Sequence, residues 1–228
     1  MTITTAMTTS FKSEVFSAGH CFNATVTPTG DTHSTTTIDN ISSTNGIAIG
    51  MSVTGSGIIV SPVTYVSSIL SPTSITLNQE TTTTLSGVTL TIAGDIFKIA
   101  LIKSGMSGNY SSTTVNYSDI TGNSDEVSGA GYSTTGQVLT NVSPDIGGTT
   151  AFITFSPDPS WTSATFSAAG CLIYNTSVRN GGISGTNTTG ANRSCSVHDF
   201  GGVQSVISGT FTILMPVASQ YSAILRIN

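Results

Sequence analysis

Four residues with carboxylate or amide side chains lie close together in the second half of the chain: Asp119, Asn123, Asp125 and Glu126. Carboxylate and amide oxygens are the ligands that calcium takes in proteins. Their spacing matches no recognised calcium-binding loop, and short Asp and Asn side chains also stabilise turns. The pattern therefore favours turn formation, and we predict no metal ligands here.

A histidine and a carboxylate are adjacent at His198 and Asp199, within a predicted strand. Neighbouring residues of a strand point to opposite faces, so these two side chains cannot form an acid–base pair with each other. The sequence contains no Gly-x-Ser-x-Gly nucleophile motif, and its scattered acids suggest no catalytic pair. We therefore predict no enzymatic activity, no catalytic residue and no cofactor.

The cysteines and the single tryptophan have structural interpretations. Cys21, Cys171 and Cys195 are odd in number and lack metal-ligand spacing, so they are predicted to be buried thiols, with a Cys171–Cys195 bridge as the alternative. Trp161 precedes a predicted strand. A lone tryptophan beside strand-rich sequence is more typical of a core than of an exposed platform for a sugar.

The composition indicates an all-β protein with few ions on its surface. Only 7% of the 228 residues are charged, against about 25% in ordinary globular domains. Serine and threonine make up about a third of the chain, and short β-branched runs alternate with 24 glycines. The net charge is −5, and the charged residues are scattered and form no basic patch, which argues against nucleic acid as a partner.

The sequence also argues against a membrane location. No apolar run approaches the roughly 20 residues of a membrane span. The first residues lack the basic and apolar regions of a signal peptide. These features predict synthesis in a cytoplasm.

The strand pattern is clearest at residues 95–104. Phe97, Ile99 and Leu101 alternate with a second, mostly apolar set, which predicts a central strand buried on both faces. The Gly-Asp turn just before it repeats an upstream turn at residues 29–31. If residues 31–94 were removed, Thr-Gly-Asp would run directly into Ile-Phe-Lys-Ile-Ala, so the middle of the chain has the pattern of an insertion.

The predicted fold is an antiparallel β-sandwich with one short N-terminal helix and an inserted small β-barrel or sandwich. The host domain comprises residues 1–31 and 95–228, and the insert residues 32–94. Residues 1–9 are predicted to form an arm that reaches a neighbouring molecule. Residues 10–18 are predicted to form a helix capped by Ser10, with Phe16 packed on a sheet.

Short apolar runs predict the strands. In the insert they lie at 36–41, 47–53, 58–60, 64–69, 74–77 and 88–92. After residue 104 they lie at 113–117, 137–142, 151–155, 165–167, 170–175, 194–200, 209–214 and 223–227.

Several segments together resemble a family of virion structural proteins from tailed bacteriophages. They are Ser10-Phe11-Lys12, Thr29-Gly30-Asp31, Phe97-Lys98-Ile99-Ala100-Leu101, Glu126-Val127-Ser128-Gly129-Ala130-Gly131-Tyr132, Gly136-Gln137-Val138-Leu139, Trp161-Thr162-Ser163-Ala164-Thr165-Phe166, Gly170-Cys171-Leu172-Ile173-Tyr174-Asn175, Asp199-Phe200-Gly201, Gly209-Thr210-Phe211-Thr212-Ile213 and Ala223-Ile224-Leu225-Arg226-Ile227. The insert departs from this family. It is similar to a small β module of phage and bacterial surface proteins.

The resemblance implies a structural part of a phage particle that is assembled in the host cytoplasm, with the capsid surface favoured. A capsid decoration or cement protein, bound to the major capsid protein or to other virion proteins, fits it first. A head fibre or tail component, or a receptor- or glycan-binding module, is the alternative. By analogy with decoration proteins it implies a homo-oligomer, with a trimer favoured, and it brings no catalytic or binding residues.

Overall fold

The computed structural model describes residues 1–178 and 190–228. In chain order the elements are β1 (Ala6–Met7), α1 (Thr9–Phe16), β2 (Thr29–His33), β3 (Thr37–Asp39), β4 (Ser52–Thr54), β5 (Val66–Ser71), β6 (Ser74–Leu77), β7 (Thr84–Thr89), β8 (Thr91–Ala93), β9 (Phe97–Lys103), α2 (Ser118–Gly122), β10 (Gln137–Leu139), β11 (Asp145–Gly147), β12 (Thr150–Ile153), β13 (Ser160–Asn175), β14 (Arg193–Thr212) and β15 (Leu225–Ile227). Each strand pairing in the described ranges is antiparallel. The predicted all-β class is therefore confirmed. No helix of these two ranges has the length and apolar character to cross a membrane.

The chain forms two compact units. The first comprises residues 1–20, 96–140 and 144–228, and the second comprises Cys21–Asp95 with Asn141–Ser143. The sequence placed the insert at 32–94, whereas the compact unit begins at Cys21. The difference arises because β2 pairs with β3 and β7 inside the second unit. The sequence of β2, Thr-Gly-Asp-Thr-His, is too polar to be recognised as a strand.

The first unit contains a five-stranded sheet in the order β1-β14-β13-β9-β10 and a three-stranded sheet, β11-β12-β15. Strand β9 is paired on both sides, and Ile99 to Ile102 are fully buried, as its double apolar pattern predicted. One face of the larger sheet packs on a core contributed by Ile3, Ala100, Ile102, Tyr110, Tyr117, Ile120, Ala169, Leu172, Tyr174 and Val197. The predicted strands at 165–167 and 170–175 merge into β13, and those at 194–200 and 209–214 merge into β14.

The turn before β10 depends on Gly136. Its φ is +69°, and a Cβ at this position would lie 1.8 Å from the carbonyl oxygen of Ile99. Only glycine fits this conformation and this close approach to β9.

The second unit contains a five-stranded sheet, β5-β6-β3-β2-β7, and a two-stranded sheet, β4-β8. Its core is formed by buried side chains from Cys21 to Ile92, among them Ile38, Met51 and Leu90. The strand predicted at 58–60 is wrong, because Ile58 enters the core from a turn. Of the predicted strand at 47–53, only its end belongs to β4.

The N-terminal segment differs from the predicted arm. Ile3 is buried, the amide of Thr4 donates to the carbonyl of Tyr110, and β1 pairs with β14. This segment therefore packs against its own chain, and β1 covers one short part of the β14 edge. Strand β1 could not be predicted from the sequence, because it has only two residues and the apolar residues of this segment follow no pattern.

Helix α1 is shorter than the predicted 10–18. Thr8, not Ser10, stands at the N-cap position, and its hydroxyl donates to the carbonyl of Ser194 instead of capping the helix. Ala18, with a φ of 52°, takes the left-handed conformation just after the helix. Phe11 is buried, whereas Phe16 is 91% exposed, so its predicted packing on a sheet is wrong.

The strand predicted at 113–117 is also wrong. This segment makes a single bridge between Asn116 and Arg193 and then enters α2. Asp119 accepts hydrogen bonds from the amides of Val115 and Asn116, at 2.8 and 3.3 Å, which favours a turn over an extended strand.

Candidate functional site

The four carboxylate and amide side chains from Asp119 to Glu126 do not converge on a common point. The segment at 125–127 runs extended beside β9, where the amide of Lys103 donates to the carbonyl of Asp125. Extended backbone sends successive side chains to opposite sides, so Asp125 and Glu126 bind different partners. Asn123 donates to the carbonyl of Asp119. No group of three metal-ligating side chains occurs in the described ranges.

Asp125 is the centre of a buried hydrogen-bond network. Its carboxylate accepts from the amides of Ser107 and Gly108 and from the Tyr110 hydroxyl, at 2.6–2.9 Å, and the Lys103 ammonium lies 3.4 Å away. Burial alone would raise the pKa of Asp125, but these hydrogen bonds outweigh it and lower the pKa to about 2. Burial and the neighbouring carboxylate raise the pKa of Tyr110. The carboxylate therefore holds a loop together.

Replacing Asp125 with Asn is expected to lower the free energy of unfolding by about 2 kcal/mol at neutral pH. The folded pKa lies below the ordinary 3.8, so the ionised carboxylate stabilises the protein fully above about pH 4 and loses this effect as the pH falls toward 2. The difference between Asp125→Asn and the wild type should therefore shrink over that window. Urea denaturation from pH 7 to pH 2.5, followed by Trp161 fluorescence, measures it.

The exposed Asp145 supplies the control. Asp145→Asn should change stability by no more than about 0.5 kcal/mol. If the stability difference between Asp125→Asn and the wild type does not vary with pH, the stabilising role of the ionised carboxylate is contradicted.

Glu126 organises a second network, built from tyrosines. Its carboxylate accepts from the hydroxyls of Tyr117 and Tyr132 and from the amide of Thr135. The Tyr132 hydroxyl also accepts from the amide of Leu101, at 3.0 Å. Burial first, and the charge of Glu126 second, raise the pKa of Tyr132. This network fastens the loop before β10 to β9.

His198 and Asp199 both lie on β14, and each has another partner. His198 Nε2 lies 2.8 Å from the Ser196 hydroxyl, whereas the Asp199 carboxylate accepts from the amide of Gly201 at 3.0 Å. Burial lowers the pKa of His198 to about 4, so its imidazole is neutral at physiological pH. Ser196 is only 1% exposed, so a substrate carbonyl cannot reach its hydroxyl. The serine–histidine contact is a structural hydrogen bond.

The predictions for the tryptophan and the cysteines are confirmed. Trp161 is 2% exposed and packs against Tyr132, Phe166 and Phe211, with ring centroids 6.0–6.4 Å apart. All three cysteines are buried and unbridged. Burial raises the pKa of Cys171 to about 12, which keeps its thiol protonated and unreactive.

A buried ionic cluster of the first unit was not predicted from the sequence. The Glu14 carboxylate lies 2.6 Å from His20 Nε2 and 3.6 Å from Arg193 Nη1, with all three side chains at most 3% exposed. Arg193 also donates to the carbonyl of Gly19, and Asn175 Nδ2 lies 2.8 Å from His20 Nδ1. This cluster joins helix α1 to β13 and β14.

One signal for the cluster was present in the sequence. Glu14 follows the apolar Phe11 by three residues, so the two share a helix face, and a carboxylate on a buried face needs a cation. Which of the six basic residues supplies that cation depends on the tertiary fold.

The first unit also carries a charge-free stretch, residues 200–225, which contains no Asp, Glu, Lys, Arg or His. Several large apolar side chains of this stretch are exposed: Val203, Ile207, Leu214, Val217 and Tyr221. Exposed apolar surface of this kind marks contact with a partner more often than chemistry.

The geometry defines the class as an all-β protein of antiparallel sheets whose polar clusters serve its own fold. Comparison of the chain with protein-family models, curated proteins and solved structures gives no match.

Proposed function

We propose that this chain is a non-enzymatic structural protein of a tailed-phage particle, and specifically an outer-capsid decoration protein. The proposal depends on one observation: the carboxylates and the hydroxyl that could take part in catalysis form hydrogen bonds or ion pairs within the chain. Glu14, Asp125, Glu126 and Ser196 are each engaged by groups of the same chain. Such an arrangement stabilises a scaffold and leaves contact surfaces as the functional part.

The surface chemistry supports a role in assembly. Charges are scarce in the whole chain, and the charge-free stretch exposes large apolar side chains. Desolvating ions is costly, whereas apolar and hydroxyl-bearing surface is buried at much lower cost when its polar groups find partners. The resemblance of the strand and turn segments to phage virion proteins points to the major capsid protein, or another virion protein, as the partner.

A tail or fibre component is the second location that these arguments allow. A glycan-binding module is less well supported, because residues 21–95 contain only Phe22 and Tyr65 as aromatic side chains for stacking on a sugar. The exposed apolar residues of this unit, among them Val60 and Leu70, fit a protein contact better.

Antibody labelling of purified phage particles, viewed by negative-stain electron microscopy, tests the location. We expect label distributed over the capsid. Label confined to the tail would replace the decoration role with a tail or fibre role. Particles free of both label and this polypeptide would overturn the proposal.

The non-enzymatic character is tested separately. We expect His198→Ala to change stability only, and the wild type to hydrolyse neither glycans nor peptides. Reproducible turnover that is lost in His198→Ala would contradict the proposal.

A further inference from the structure

The exposed apolar side chains of the charge-free stretch are unusually prominent. Ile207, Leu214, Val217 and Tyr221 are 82%, 78%, 79% and 81% exposed. A large apolar side chain left in water forgoes roughly 1.5–3 kcal/mol of burial free energy. Four such residues within fifteen positions of uncharged sequence form a surface that gains much from being covered.

The backbone that displays these side chains is held in place. The amide of Ile213 donates to the carbonyl of Pro159, and that of Met215 donates to the Asp158 carboxylate, at 3.1 and 2.8 Å. The Thr154 hydroxyl donates to the carbonyl of Pro216 at 3.0 Å.

The far end of the segment is fixed by Arg226. Its guanidinium donates to the carbonyls of Gln220 and Tyr221, at 3.1 and 2.9 Å. A surface anchored in this way loses little conformational entropy when a partner binds.

The adjoining part of β14 offers an unpaired strand edge. Residues 204–212 pair with β13 on one side, whereas β1 covers β14 only at Ser196 and Val197. No other strand of the described ranges lies on that side. Soluble proteins usually protect such edges with charges or proline, and residues 204–212 contain neither.

We propose that the charge-free stretch, through residues 204–221, binds the same stretch of a second copy of this chain. Two copies of an uncharged surface can meet without like-charge repulsion. A partner with a charged binding surface would find no opposite charges on this stretch. The four side chains offer on the order of 400 Å² per copy, and pairing of the strand edges adds to this, toward the roughly 800 Å² per partner of a standard interface. The inference rests on the proposed function for its setting and names the surface through which copies associate.

Sedimentation and light scattering of the purified full chain, from 1 to 100 µM, test the contact. We expect the wild type to associate and the double variant Val217→Glu with Tyr221→Glu to be monomeric, with its Trp161 unfolding transition unchanged. The control is Val60→Glu, in the second unit, where an apolar side chain is 64% exposed. It should associate as the wild type does. A monomeric wild type at 100 µM, or a double variant that keeps the wild-type mass, overturns the inference.

Hydrogen exchange of the wild type gives a measurement that needs no variant. Amides of residues 204–221 should exchange more slowly at 100 µM than at 1 µM, by about tenfold or more, while those of the buried β9 stay unchanged. Exchange that is independent of concentration overturns the self-contact. A chain that is monomeric but present in particles refutes this inference alone, whereas a self-associating chain absent from particles refutes only the proposed function.

Discussion

Replacing Glu14 with Gln is expected to lower the free energy of unfolding by about 3–5 kcal/mol, because it removes one partner of a buried ion pair. Glu14 Oε2 faces both His20 Nε2 and Arg193 Nη1, and all three side chains are buried. Glutamine has nearly the same shape and retains hydrogen-bonding capacity, so the change isolates the negative charge. The guanidinium would then stay buried without its counter-ion.

A double-mutant cycle separates this charge effect from a general loss of packing. Combined with Arg193→Met, Glu14→Gln should cost less than the sum of the two single changes, by about 1–3 kcal/mol, because neither charge is then left unpaired. Urea denaturation followed by Trp161 fluorescence measures this, since the only tryptophan lies in the same unit. Asp145→Asn, at an exposed carboxylate of the same unit, should change stability by no more than about 0.5 kcal/mol. Strict additivity of the two changes would contradict the coupling.

The sequence predicted those strands whose residues show a local alternation of apolar side chains. The alternation around Ile99 and Leu101 predicted β9 and the burial of both its faces, because a strand with two apolar faces has no solvent side. Strands β1 and β2 were missed because their sequences carry no alternation. Hydrogen bonds to β14, β3 and β7, all distant in sequence, determine their conformation.

The candidate sites were predictable to a lesser degree. Asp119 and Asn123 are turn-forming residue types, and each makes local hydrogen bonds as the sequence analysis predicts. The partner of Asp125 could not be inferred, because Tyr110 is selected by the packing of a loop on β9. The same holds for Arg193, which meets Glu14 only once β14 is beside the helix.

Removing the second unit is expected to leave the first unit folded. Replacing residues 21–95 with a short Gly-Ser linker between His20 and Ile96 should leave a soluble protein that unfolds cooperatively, with a Tm within about 4 °C of the first unit's transition in the full chain. The core of the second unit comes entirely from Cys21 to Ile92, and the first unit's core cluster from residues outside 21–95. The ends of the removed segment are adjacent, since the amide of Asp95 donates to the carbonyl of Cys21 at 2.8 Å. Trp161 fluorescence and circular dichroism measure the outcome.

A second excision compares two boundaries of the inserted unit. Joining Gly30 to Asp95, at the boundary drawn from the repeated Gly-Asp turn, keeps residues 21–30 but removes the strands β3 and β7 with which β2 pairs. This variant should also fold, yet its residues 21–30 should be cleaved by protease, because backbone without strand partners is accessible. Excision of residues 21–95 removes the carbonyl of Asp95 to which Asn141 donates, whereas joining Gly30 to Asp95 retains it, so a modest cost near residues 141–143 is expected for the first variant. Since each unit buries its own apolar residues, cooperative folding should survive both cuts, and aggregation of both products would show that the units do not fold independently.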